Sequence, residues 1–507
     1  MRRPLGVSGV AVAVAALTAG PVRAQSVQNV VLRNSFNPIG AGARGLGMGG
    51  AFIAVADDGT AASFNPAGLA QLRRTEIAVV GFSDRLRSTI NVPGEDAGER
   101  FSQESTHGAL DFAGVAVPFE VAGRAFTLQA SYQRSVDLFG EGRATVIDSI
   151  QLSEIRPDLK GTGEFIADVL PIQRGAFHTA SLSAAWQLTS KLALGLSANY
   201  WFADWSATGT SSFRLRVPLP GVPQAIEVPL LNTEFDQQQS MKGFNLGFGT
   251  LLRYPWLSLG AVVRMPFNGS YDLDENDLES GFDPETGRPF KPREVTYRAA
   301  SHLRVSWGLG GGVALRPFRG LTLAADYTWS EWSRTLITNV PNGALLTAEE
   351  RDSGGQSLEV YTDRNFFDLL PAAVTSTRNT SQWRAGGEYL VSLSKVIIPL
   401  RGGAFRDRSP IVELGSENGR LIKGWTLGTG LNFSRVVLDF AFERRESEGP
   451  LLLRLRQGQP VPTGTPVTES VRQDRLVASL IFRFGGGTDP VKRILGSALG
   501  DPEDKEK

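Results

Sequence analysis

Any chemistry in this chain must come from arginines and carboxylates, because the usual nucleophiles and metal ligands are scarce. Cysteine is absent, which removes thiol nucleophiles, thiolate metal sites and a disulfide frame. The three histidines, His107, His178 and His302, stand far apart with no metal-ligand spacing. No GxSxG elbow accompanies them, so neither a metal nor a cofactor is expected. What remains is a set of charges at the polar positions of alternating segments: Arg264, Arg304, Asp326, Arg384, Glu388, Asp439 and Glu443. The planar fork of arginine suits a carboxylate, so Arg264, Arg304 and Arg384 are candidates for gripping the acidic group of a small molecule. The alternative is that these charges neutralise one another. Two apolar patches in polar surroundings, 165–172 and 366–374, could capture an apolar molecule, with Phe366, Phe367, Leu369 and Leu370 at the centre of the second. Such patches also pack loops on themselves.

The elements that position these groups read as β-strands. From Arg124 to Arg134, Phe126, Leu128, Ala130 and Tyr132 alternate with Thr127, Gln129, Ser131 and Gln133, a period of two that gives one apolar face. The same parity returns at 179–188 and 320–330. Roughly fourteen such segments occur, near 75–83, 109–118, 124–134, 177–188, 191–204, 242–253, 256–265, 302–316, 320–330, 382–392, 394–403, 422–433, 435–445 and 475–484. Connections alternate between very short and long, and that asymmetry marks a transmembrane antiparallel β-barrel rather than a soluble sandwich. An even strand number puts both termini on one side, the periplasm. Glycine is abundant, at 57 residues, and recurs on the inward face at Gly243, Gly247, Gly249, Gly308, Gly310, Gly312, Gly428 and Gly430. Two explanations stand: a lumen kept open for an occupant, or easier curvature. Aromatics fall near strand ends, Tyr200, Tyr327, Trp383 and Trp425 at one and Phe433, Phe482 and Phe484 at the other, as two interfacial girdles would.

The N-terminus reads as a Sec export signal over 1–24: Arg2 and Arg3, the apolar run 9–17, and Val22-Arg23-Ala24 before Gln25. No later apolar run is long enough for a membrane helix. Residues 25–74 then form an N-terminal appendage, 75–484 the barrel, and 485–507 a charged tail that is either a periplasmic extension or a docking segment for a periplasmic partner. Zero formal net charge and a pI near 6.9 leave no footprint for nucleic acid. Two frames of the glycine-rich run 40–50 match GxGxxG, but no strand precedes them and no βαβ unit surrounds them, so dinucleotide binding is not expected. Asp57-Asp58-Gly59 reads as a turn with solvated carboxylates, and Asn65-Pro66 as a turn or loop element.

The run GARGLGMGGAFIAVADDGTAASFNPAGLA resembles the N-terminal signature of the FadL-type outer-membrane transport proteins for long-chain fatty acids and aromatic hydrocarbons. Gly45, Gly47, Gly50, Asp57, Asp58 and the triplet Asn65-Pro66-Ala67 carry the resemblance. It implies that 25–74 is a hatch plugging a fourteen-stranded barrel in outer-membrane lipid, inserted by the barrel-assembly machinery, without catalysis. It also implies a hydrophobic small-molecule ligand, held in the lumen and released sideways through a wall defect. The family kink lies in the third strand, but 124–134 has no interior Gly or Pro, and Pro399 is the candidate defect because proline cannot donate a ladder hydrogen bond. A similar signature occurs in PorV-type barrels, which implies an alternative role as a protein-partner component of a secretion or surface-attachment system. A lipid-hydrolysing barrel with His302 in its site is a third reading.

Overall fold

The computed structural model describes residues 36–91, 100–141, 144–151, 161–218, 225–282, 289, 292–341, 361–365, 374–393, 396–413, 416–450 and 468–484. Fourteen wall strands follow one another around a closed antiparallel ring. They are β1 (Thr75–Asn91), β2 (Arg100–Val121), β3 (Arg124–Asp137), β4 (Thr162–Gln187), β5 (Leu192–Val217), β6 (Ile226–Arg253), β7 (Leu257–Arg264 and Phe267–Gly281), β8 (Arg293–Val305 and Gly308–Leu315), β9 (Leu321–Ser330 and Leu336–Pro341), β10 (Thr380–Leu393), β11 (Val396–Arg408), β12 (Leu421–Asn432), β13 (Val436–Pro450) and β14 (Thr468–Phe484). The ring closes where β14 pairs with β1, from Thr75↔Phe484 to Asn91↔Thr468. The count of about fourteen read from periodicity agrees with this ring. The proposed signal segment 1–24, the tail 485–507 and the patch holding Phe366, Phe367, Leu369 and Leu370 lie outside the described residues.

Alternation sets which side chain faces where. Ala78 and Val80 of β1 are buried inward while Ile77 and Val79 are exposed outward. The outward set forms an apolar band with Leu182, Leu427 and Leu476 in it and with Tyr200, Trp383, Trp425, Phe433 and Phe482 exposed. So much apolar surface facing out is what a lipid environment stabilises. The short connections are tight: Ala122 and Gly123 join β2 to β3 with φ of 51° and 70°, the left-handed pair that a two-residue hairpin requires.

Several strands run much further than their apolar alternation. β4, β5 and β6 have 26, 26 and 28 residues, and residues 165–172, read as a loop patch, are part of β4 with Ile166 buried. Outside the band, both faces of a strand can be polar, so the hydrophobic period vanishes although the ladder continues.

β7, β8 and β9 are each interrupted at the same height, at Met265-Pro266, Ser306-Trp307 and Glu331–Thr335. A break of this kind flips side-chain parity beyond it. Below it Arg264 faces the lumen; above it Phe267 and Leu303 are buried, whereas Arg304 and His302 are exposed on the outer face. Arg304 is therefore not a lumenal residue. Pro399 disturbs the wall little: it stays in register with Leu390 of β10, and the β12 ladder resumes in the same register, Ile397↔Asn432 and Leu400↔Thr429.

Candidate functional site

Residues 36–72 lie inside the ring. α1 (Ala43–Gly47) packs against β11 to β14, and the turn Pro66–Gln71 against β3 to β6. After α1 the chain reverses at Gly49 and Gly50, with φ of 72° and 76°, a conformation that costs glycine least. The wall glycines explain how the segment fits. A Cβ on Gly195 of β5, Gly249 of β6, Gly260 of β7, Gly386 of β10 or Gly403 of β11 would collide with the backbone of Ala67, the side chain of Asn65, or the backbones of Ile53, Met48 and Gly49 respectively. One on Gly428 would come within 3.0 Å of Gly47 Cα. Of the inward glycines named from sequence, Gly249, Gly310, Gly312 and Gly428 face the chain's own segment, whereas Gly243, Gly247, Gly308 and Gly430 face other wall residues, so an occupied lumen accounts for half of them.

Polar groups staple the segment in place. Asn65 is fully buried; its Oδ1 accepts from Ala67 N at 3.0 Å and its Nδ2 donates to Ile53 O at 2.9 Å and to Thr250 O of β6 at 3.0 Å. Asp326 of β9 accepts from Phe52 N at 2.6 Å and Ile53 N at 2.9 Å. Arg384 Nη1 of β10 donates to Gly49 O at 2.9 Å, so this candidate ligand arginine is engaged by the segment. Thr426 Oγ1 accepts from Gly49 N and donates to Gly47 O.

Arg44 sits at the hub of the charges. It donates to both oxygens of Glu388, at 3.0 and 2.9 Å, and to Asp57 at 2.5 Å, while Arg401 joins Glu388 at 2.7 Å to Asp439 at 2.6 Å. Burial pulls the Arg44 guanidinium pKa down, but Asp57 and Glu388 overrule it and hold it well above the usual arginine value. Asp58 is not solvated: it is buried, and its Oδ1 accepts from Thr60 N and Thr60 Oγ1.

Between this segment and β3 to β9 lies an apolar cleft of about 790 Å³, part of it open to solvent. Phe36, Phe177, Trp201, Met241, Phe267 and Leu303 line it, with Trp201 stacked on Phe267 at 5.8 Å. The size lies within the range of small-molecule pockets. Arg264 lines the cleft and has no hydrogen-bond or ion-pair partner among the described residues. Its cross-strand neighbours are Gly247 and Gly308, which leave its side chain uncovered. A second hollow, toward β1 and β14, holds Asp84, Asp111, Asp137, Arg134 and Arg475, but Arg475 and Arg134 already pair with Asp84 and Asp137 at 2.9 and 2.7 Å.

Solved structures share this architecture. A Pseudomonas aeruginosa FadL homologue aligns over 89% of this chain and 100% of its own, at 14% identity and a TM-score of 0.51. The P. putida toluene transporter TodX aligns over the same shares at 12% identity and a TM-score of 0.52. This is the FadL-type fold. No family model and no curated protein matches the sequence. At these identities the FadL-type likeness rests on the path of the backbone.

Of the residues singled out by sequence, Asp57, Asp58, Asn65, Asp326, Arg384, Glu388 and Asp439 converge on the segment's anchorage, and Arg264 alone of the three candidate arginines lines the cleft. Trp201, Phe267 and Trp332, which line the cleft, were not anticipated. The parity break hid the last two, while Trp201 falls at a polar-face position of its strand.

Proposed function

We propose that the protein is an outer-membrane channel for passive uptake of hydrophobic small molecules, with residues 36–72 acting as a movable hatch. The observation that supports this reading is the apolar cleft with an unpartnered arginine in its lining. An aliphatic tail gains about 0.8 kcal/mol per buried methylene. Burial of about ten methylenes would thus supply the order of 8 kcal/mol, the scale of a micromolar complex before association costs. Arg264 adds a place for a carboxylate, which favours long-chain fatty acids over neutral aromatic hydrocarbons.

The test is uptake of labelled oleate and toluene by cells carrying the protein or Arg264→Leu. The expected result is protein-dependent uptake of oleate, reduced about tenfold in the variant, a loss of about 1.4 kcal/mol, with toluene unaffected by the substitution. Uptake of both compounds at the rate of cells lacking the protein would refute transport. A stable complex with a surface or periplasmic protein would then favour the PorV-like role.

A further inference from the structure

The outer wall carries different charges on different sides of the ring. On the half that holds the long connections, just beyond the apolar band, β5 to β7 expose Asp204, Glu234, Asp236, Asp272 and Asp274. The strands across the ring, β11 to β14 and on to β1, reverse that sign at the same level. They carry Arg406, Lys423, Arg444, Arg472, Arg85 and Arg87 against Glu446, Asp474 and, on β2, Glu104, with Glu448 one rung farther out.

Cross-strand register gathers these cations into two adjacent rows. The outer row reads Arg87, Arg472, Glu446, Lys423, Arg406 and Trp383, each opposite the next. The inner row reads Arg85, Asp474, Arg444 and Trp425. The row after that is Ser83, Leu476, Phe442 and Leu427, which is already lipid-facing. The cations therefore stand directly on the edge of the band, and the Arg444 guanidinium lies 5.6 Å from the ring centres of both Trp425 and Phe442.

This surface is short of anions. Arg87 faces Arg472 and Arg406 faces Lys423, and like charges directly opposite each other destabilise a sheet. Arg444 and Arg472 share one carboxylate, Asp474, at 2.6 and 3.0 Å. Arg85 and Arg87 likewise share Glu104, the second at 2.9 Å. Each set keeps a net positive charge. Arg406 and Lys423 have no hydrogen-bond or ion-pair partner among the described residues.

We infer that this face is a docking site for a phosphorylated glycolipid of the outer leaflet, with its phosphates among the two rows of cations and its acyl chains along Leu427, Phe442 and Leu476. Phosphate supplies the missing anions, and the arginine fork matches its geometry. From Arg406 on β11 to Arg87 on β1 is four strand spacings, about 19 Å. A headgroup with a single phosphate meets only part of that width, whereas a saccharide carrying two phosphates spans it. Juxtaposed basic and apolar surface is also what holds an anionic lipid in general. The inference rests on the outer-membrane placement in the reading above and is independent of what the lumen carries.

The test is native mass spectrometry of the purified full chain in detergent, titrated separately with diphosphoryl lipid A, monophosphoryl lipid A and phosphatidylglycerol. One equivalent of diphosphoryl lipid A is expected to bind at least tenfold more tightly than either of the others. Arg406→Gln with Lys423→Gln is expected to weaken it about thirtyfold, while Lys242→Gln, exposed on β6 in the acidic sector, leaves it unchanged. Heat-modifiable electrophoretic mobility shows whether each variant forms a closed barrel. Diphosphoryl lipid A held no more tightly than phosphatidylglycerol, or equally by the folded double variant and the unmodified protein, overturns the site and leaves the transport reading standing. Because the double variant could fail to fold, the unmodified protein is also acetylated with and without diphosphoryl lipid A. Lys423 is expected to be protected at least fivefold and Lys242 not at all; equal acetylation of Lys423 in both samples overturns the site. Bound lipid A in a protein that takes up no oleate supports the site and refutes transport alone.

Discussion

Replacement of Asn65 by alanine isolates the contribution of the segment's best satisfied staple. Three hydrogen bonds, at 2.9 to 3.0 Å, end on this fully buried side chain. At about 1 kcal/mol net each, their loss destabilises the docked segment by about 3 kcal/mol, with Ala67 N left uncapped as part of that total. Since about 1.4 kcal/mol is tenfold in a population, the undocked fraction rises by roughly 150-fold. Hydrogen exchange followed by mass spectrometry on detergent-solubilised protein reads this directly: amides of 43–56 are expected to exchange about two orders of magnitude faster, while those of β1 to β3 keep their rates. Asn65→Ser should recover about 1 kcal/mol by restoring the cap, whereas Asn65→Asp should not, because its second oxygen would face two carbonyl acceptors. Exchange in 43–56 that is unchanged in Asn65→Ala, or that accelerates equally in the barrel strands, would refute the idea that the segment is held separately from the wall by such staples.

Two further outcomes follow from packing. Gly403→Val places a side chain against the backbone of Gly49; overpacking of this kind costs about 1–3 kcal/mol, and trypsin is expected to cut at Arg44 in the variant while heat-modifiable electrophoretic mobility shows the barrel still closed. Leu427→Arg puts a charge near the middle of the outward band, where Leu427 is 56% exposed, and is expected to destabilise the barrel by about 2–4 kcal/mol, measured by urea unfolding in phospholipid vesicles.

Legibility in the sequence followed the physics of each region. Where one face meets lipid and the other the lumen, as in Leu321 to Ser330, alternation gave strand and parity together. Beyond the band that contrast disappears, so the continuation of β5 through Ser206 to Val217 was invisible. At Pro266 the sequence carried a break signal, but not that the strand resumes one residue out of phase, and Arg304 was assigned to the wrong side for that reason. The charged residues Glu388, Asp439 and Asp326 were placed inward correctly, yet Arg44 lies 344 residues from Glu388 and Phe52 lies 274 from Asp326, and no local pattern names a partner at that distance. The inward glycines were conspicuous, but what four of them accommodate became clear only when Gly47, Ile53 and Asn65 were found against them.

The glycine seat also constrains the order of assembly. Residues 36–72 precede every strand in the chain, yet the surfaces that receive them come from β5, β6, β7, β10, β11 and β12, so the earliest-made part of the described chain has nowhere to rest until most of the later part is in position. Docking must therefore wait for β12, and a cylinder sealed before docking would leave this stretch to enter through an end.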